Sequence, residues 1–251
     1  GGLAAAVRAH RPAVVRGQVP SDLIGQAGHE SDLLPRIREI CGQREVTVRL
    51  PRGEARSADA GPMFGDPLAS SPYENAERCK VADALDSIIK EPTRYLANVS
   101  LPNELPELAE RMAELQEVID ELTAPRLAAP FGSRVTHSPA LYLGSGRQRT
   151  PLHFDPTENL TAVLQGTKHF RLYPPSASSQ LQPRGGFLAA ANCWISRTIP
   201  TVYSDLDVFG SEPDAGPKPL DVFLEAGEII YLPSAWWHAV SGSDEANVTI
   251  V

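Results

Sequence analysis

From Ala140 onward this chain of 251 residues is written in short apolar and β-branched runs broken by turn residues: ALYLGS, TPLHF, NLTAVLQG, KHFRLYPP, then DVFLEAGE, IIYLP, WHAVSG and NVTIV. Runs of five or six residues bounded by Gly, Pro and Asn are strand signals, and a series of them predicts a barrel or sandwich. An irregular Pro/Gly-rich insertion, residues 174–220, interrupts the series. LTAVLQGTKHFRLY reads as a hairpin around Gln165 and Gly166.

The first half is mixed. PAVVRG and EVTVRL read as strands flanking a helical stretch, SDLLPRIREICG, that ends in Gly42. The segment Pro51 to Lys80 is rich in Pro, Gly, Ala and Ser and reads as a long loop. KVADALDSIIK has helical spacing and RYLANVSL is strand-like. Leu105, Leu108, Met112, Leu115, Ile119 and Leu122 fall three and four apart, which predicts an amphipathic helix that covers one face or end of the sheet and carries no chemistry. The expectation is a mainly β protein with flanking helices. It forms a single domain over 1–251, with N-terminal strands and covering helices in 1–135 and the barrel core in 136–251.

Composition narrows the function classes. A net charge of -8 disfavours a protein whose main partner is nucleic acid, because neutralising phosphates needs clustered Lys and Arg. No apolar run approaches the roughly 18 residues of a membrane span. Cys41, Cys79 and Cys193 are widely spaced and form no CxxC, so a disulfide framework and a cysteine zinc site are both unexpected, and a reducing compartment fits. The opening GGLAAAV has no initiator Met and NVTIV reads as a strand cut in mid-run. The chain is therefore expected to be a piece of a longer protein.

The chemistry-bearing residues lie in two of the strand runs. His153 and Asp155 stand two apart in TPLHFDP, so on a strand they look into the same space. If the barrel closes, His238 in YLPSAWWHAV can complete a set of two imidazoles and one carboxylate. That set is the facial triad of non-haem Fe(II) oxygenases, and zinc hydrolases use it too, so the ligands alone leave the metal open. Chance HxD pairs and a histidine merely packed beside two tryptophans are the plain alternatives. Lys168 opens the strand after the turn, where it can point inward toward a carboxylate. His169 has the opposite parity and reads as outward-facing or structural, like His10, His29 and His137. Trp236 and Trp237 read as packing beneath the His238 loop, and Trp194 as lining an entrance.

TPLHFDPTENLTAVLQGTKHFRLYPP followed by LEAGEIIYLPSAWWHAV resembles the signature of the JmjC-domain (cupin-like) Fe(II)/2-oxoglutarate oxygenases, in the small hydroxylase branch that includes asparaginyl, lysyl and wybutosine tRNA hydroxylases. The match is specific over Leu141 to Pro175 and Asp221 to Val240, and looser elsewhere. The resemblance implies a double-stranded β-helix (jelly-roll or cupin) barrel. It also implies His153, Asp155 and His238 as iron ligands, and Lys168 and Thr150 at the distal carboxylate of 2-oxoglutarate. It points to Tyr95, or failing that Tyr142, at the same carboxylate, and to Asn159 near the metal-binding end of the co-substrate. A further family Asn on the last strand has no evident counterpart in Asn247. The implied activity takes Fe(II), 2-oxoglutarate and O2, and releases succinate and CO2 as it hydroxylates a substrate.

The acidic chain favours a side chain of a protein as substrate over a tRNA base or a methylated lysine. A cytoplasmic or nuclear location fits, and relatives in this branch dimerise through segments beyond the end of this chain. From another class comes a non-enzymatic cupin-like binding or scaffold protein. The intact triad and Lys168 weigh against it, and the HxH-and-Glu pattern of sugar-binding and isomerase cupins is absent.

Overall fold

The computed structural model describes residues 2–50, 76–91, 94–123, 139–146, 148–184, 202–204, 206–209 and 217–251. The N-terminal part begins with α1 (Leu3–Arg8), β1 (Ala13–Val15), α2 (Leu33–Cys41), β2 (Glu45–Arg49) and β3 (Ala76–Lys80). It continues with α3 (Val81–Lys90), β4 (Tyr95–Ser100), α4 (Leu101–Glu104), α5 (Pro106–Arg111) and α6 (Ala113–Thr123). Then follow β5 (Ala140–Gly144), β6 (Arg149–Phe154), β7 (Asn159–Gln165), β8 (Thr167–Tyr173) and β9 (Val202–Tyr203). The last strands are β10 (Leu220–Glu225), β11 (Ile229–Leu232), β12 (Trp237–Gly242) and β13 (Asn247–Ile250).

The described residues form two antiparallel sheets, one of eight strands in the order β1-β11-β7-β13-β5-β4-β2-β3 and one of five in the order β10-β8-β12-β6-β9. Their facing sides enclose Val163, Phe170, Leu172, Leu224, Ile230 and Leu232. The far side of the larger sheet is covered by the helices, through Ile37, Leu85, Ile88, Leu105, Leu108 and Leu115 packed on Val46, Leu96, Leu143 and Val248. The expected mainly β architecture with flanking helices is therefore what the chain forms. No helix among the described residues is long and apolar enough to cross a membrane.

Several local expectations change. LTAVLQGTKHFRLY is not a hairpin: β7 pairs with β11 and β13 in the larger sheet, whereas β8 pairs with β10 and β12 in the smaller one. The turn at Gly166 carries the chain across from one sheet to the other. Gly166 has φ +73°, and a Cβ there would lie 2.9 Å from the Ala246 carbonyl oxygen, so only glycine makes this crossing without strain. The helix expected over Leu105 to Leu122 is broken into two pieces, α5 and α6, with the short α4 before them. Pro106, which has no N–H to donate, opens α5, and the Met112 N–H is shared between the Leu108 and Ala109 carbonyls at 3.1 Å each. The end of the expected long loop, Ala76 to Lys80, is strand β3 paired with β2. Residues 51–75 lie outside the described residues, as do Cys193, Trp194 and His137.

Gln165 helps tie the helical layer to the barrel. Asp32 caps α2 by accepting from the Leu34 N–H at 3.0 Å, and Gln165, at the end of β7, both donates to Asp32 at 3.1 Å and accepts from the Leu33 N–H at 2.8 Å.

Candidate metal centre and co-substrate pocket

Strand parity selects what enters the barrel. On β8 the burial alternates so that Lys168, Phe170 and Leu172 point inward while Thr167, His169 and Arg171 point out. Opposite them on β12 stand Gly242, Val240 and His238. His238 in turn pairs directly with His153 on β6. The register shifts between His238 and Val240, so that Val240 faces Thr150 rather than Pro151. This β-bulge adds one residue to β6. Thr150, an odd three positions before His153, is thereby brought to the same face, which regular alternation would forbid.

The two imidazoles are 4.2 Å apart by ring centroid. The His153 Nδ1 lies 2.8 Å from the Pro151 carbonyl and the His238 Nδ1 2.9 Å from the Trp236 carbonyl. With each Nδ1–H donated to a carbonyl, each Nε2 keeps a lone pair for a cation. The two Nε2 atoms lie 3.9 Å and 3.8 Å from the same oxygen, Asp155 Oδ2. One ligand atom from each of His153, Asp155 and His238 falls within 4.8 Å of the others. Burial, with the neighbouring His153, pushes His238 down to about 4, so it is neutral and able to bind metal at ordinary pH. The Asn159 amide donates to Asp155 Oδ2 at 2.9 Å, and the Ala235 N–H donates to the Asp155 carbonyl at 2.8 Å, which ties the segment after β6 to the segment before β12.

Lys168 is 4% exposed. No acceptor among the described residues reaches its Nζ, whose neighbour is the Tyr95 ring with its centroid at 5.5 Å. Burial alone lowers the ammonium to about 7. Tyr142 lies 6.2 Å from Tyr95 by ring centroid, and burial raises both phenols, so both stay protonated. On β13, Val248 and Ile250 belong to the helix-side core, which leaves Asn247 and Thr249 facing the barrel interior. The Asn247 Oδ1 and Thr249 Oγ1 are buried without partners among the described residues. A buried lysine without an acceptor, together with buried polar atoms left without partners, is the environment that an anionic, polar ligand completes. The residues present therefore fit a divalent metal at the triad and a dicarboxylate reaching toward Lys168.

Two features escaped sequence reasoning. Tyr203, from the insertion, pairs with His153 across β9 and β6 and stacks on its ring at 5.3 Å. Arg149 is buried against Asp207 at 3.0 Å, which fastens the insertion to β6. Neither residue carries a local signal, because each is defined by a partner dozens of positions away. His169 does face outward, bonded to Asp221 at 2.6 Å. Trp237 is fully buried against Phe154, 4.8 Å between centroids, and Trp236 is partly buried and donates to the His10 carbonyl.

The sequence profile of a family described as a cupin-like domain matches residues 3–251. The chain belongs to the cupin-like family. Among similar cupin-like JmjC proteins is the human bifunctional peptidase and (3S)-lysyl hydroxylase JMJD7, 29% identical over 84% of this chain and 68% of that protein. The Arabidopsis thaliana lysine-specific demethylase JMJ30 is 30% identical over 59% of this chain and 33% of its own length. The Gibberella zeae tRNA wybutosine-synthesizing protein 4 is 28% identical over 42% of this chain and 9% of that protein. The chain spans about a third of the length of the Arabidopsis demethylase.

Proposed function

We propose that this protein is an Fe(II)- and 2-oxoglutarate-dependent oxygenase that hydroxylates a side chain of a protein substrate. The observation that carries this reading is the pairing, inside one barrel, of the His153–Asp155–His238 cluster with a buried, uncompensated Lys168. Hydrolysis at a zinc ion does not in itself require that second feature. The relative matched over most of this chain is named a lysyl hydroxylase, which supports the protein side chain as substrate over a tRNA base or a methylated lysine.

In this reading His153, Asp155 and His238 would hold the metal through two imidazole nitrogens and one carboxylate oxygen. Iron bound there with 2-oxoglutarate and O2 supplies the oxidation of a substrate C–H bond, with succinate and CO2 as by-products. The chain's own work is placement. Lys168 meets the distal carboxylate as a cation and recovers the proton that burial makes it give up, and Thr150 and Tyr95 assist at that end. Asn159 keeps the Asp155 carboxylate from turning away. Tyr142 and Tyr203 act as walls toward the substrate. The apolar residues of the barrel exclude water, so each of these polar contacts is stronger than it would be in solvent.

The test is anaerobic titration of the Fe(II)-loaded protein with 2-oxoglutarate, watching for the weak visible charge-transfer band. The band is expected in the parent, absent in Asp155→Ala, and delayed to far higher 2-oxoglutarate in Lys168→Ala. Metal binding without a band at any concentration refutes the co-substrate. With candidate peptides, a product heavier by one oxygen marks hydroxylation, whereas released formaldehyde marks demethylation.

A further inference from the structure

The N-terminal arm lies far from the triad in sequence, yet one chain of contacts joins them. Just past the end of α1, His10 adopts φ +50°. The Arg11 N–H bonds to the Ala6 carbonyl and the His10 N–H to the Val7 carbonyl, both at 3.0 Å, so the helix closes in the left-handed manner that usually takes glycine. That turn aims the His10 carbonyl at the indole of Trp236, whose Nε1–H donates to it at 2.9 Å. The Trp236 carbonyl is in turn the acceptor, also at 2.9 Å, for His238 Nδ1. β1 then lies antiparallel along β11, which leads into the same loop, and Val14 and Trp236 both pack on the barrel's interior cluster. The arm reaches the other ligand loop as well. Val7 packs on Tyr231, and the Tyr231 hydroxyl donates to Glu158, next to the Asn159 that holds Asp155.

We infer that Trp236 is a positioning residue for His238, and that residues 3–15 form a strap whose His10 carbonyl holds it there. The inference rests on the triad being a metal centre. Among the described residues the Pro233–Trp236 loop turns through Ala235 at φ +63° and has few other ties: the Ala235 N–H to Asp155 and the Trp236 N–H to Pro233 at 3.2 Å. With the indole bond lost, the carbonyl that orients the imidazole is free to swing, and the ring turns with it. The strap thus couples the order of the N-terminal arm to metal affinity, although no atom of the arm is a ligand.

The experiment is titration of the full chain with Co(II), read by its visible d–d spectrum, alongside the melting temperature of the metal-free protein. Trp236→Phe keeps an aromatic ring on the cluster but loses the donor and part of the indole's bulk. It should weaken Co(II) binding about tenfold and alter the shape of the d–d band, as loss of contacts behind a ligand does, by more than any fall in metal-free stability accounts for. His10→Asn keeps the carbonyl and tolerates the left-handed backbone, so it should bind Co(II) as the parent does. Unchanged affinity and band in Trp236→Phe overturn the inference. So does an affinity loss matched by an equal fall in metal-free stability, which would make Trp236 ordinary packing, and so does a loss in His10→Asn. A parent that binds no Co(II) refutes the metal centre itself, a different result from a parent that binds and a Trp236→Phe variant that binds equally well.

Discussion

Lys168→Met tests the co-substrate pocket most directly, because it removes the charge while nearly keeping the volume. Burial lowers the ammonium from its ordinary 10.5 to about 7 in the ligand-free protein. A difference of that size corresponds to at most roughly 5 kcal/mol held against the folded state while Lys168 is charged. The folded pKa lies below the unfolded one, so between about 7 and 10.5 the unfolded chain binds the extra proton. Stability therefore rises with pH across that window and is insensitive to this group on its acid side. Denaturant melts of the metal-free parent should show that rise. In Lys168→Met the rise should disappear, and on the acid side of the window the variant should be the more stable protein by a few kcal/mol, on the order of the burial penalty. Binding should move the other way. A carboxylate brought to Lys168 restores its charge, so 2-oxoglutarate added to the metal-loaded parent on the alkaline side of about 7 should take up close to one proton, measured by calorimetry in buffers of different ionisation enthalpy. Lys168→Met should abolish that uptake and weaken binding by roughly 3 kcal/mol, about a hundredfold. Binding that is proton-neutral and equally tight in the variant would refute the reasoning, as would a parent whose stability is flat across the window.

The metal-free protein should also respond at acid pH. Burial beside His153 holds His238 near 4 against an ordinary 6.5, so the unfolded chain takes that proton first, and stability should fall as pH drops through this interval and level off below it. Denaturant melts of His238→Gln against pH should lack that part of the decline. Asp207→Ala takes a carboxylate from the buried Arg149 and should destabilise the fold by about 3 kcal/mol, read as a lower denaturant midpoint. Gly166→Ala forces a side chain into φ +73° and against the Ala246 carbonyl; it should lower stability by about 2 kcal/mol, and an unchanged midpoint would mean that the crossing between sheets tolerates a Cβ.

What could be read without coordinates was whatever depends on near neighbours. The alternation in KHFRLY put Lys168 on one face and His169 on the other, because side-chain direction in a strand follows the chain itself. The spacing of His153 and Asp155 made them companions for the same reason, and apolar residues three and four apart marked the covering helices. Tertiary structure decided everything that turns on which segments meet. A turn at Gly166 looks the same whether it closes a hairpin or crosses between sheets, since the partners of β7 and β8 lie in strands far along the chain. Thr150 reached the face of His153 through a bulge visible only against β12. Tyr203 on His153, Asp207 on Arg149 and the His10 carbonyl behind Trp236 were equally hidden. The chain's own periodicity settles which way a side chain points, whereas its neighbours are set by long-range packing, where the free energy depends on the whole core at once and no local pattern records the outcome.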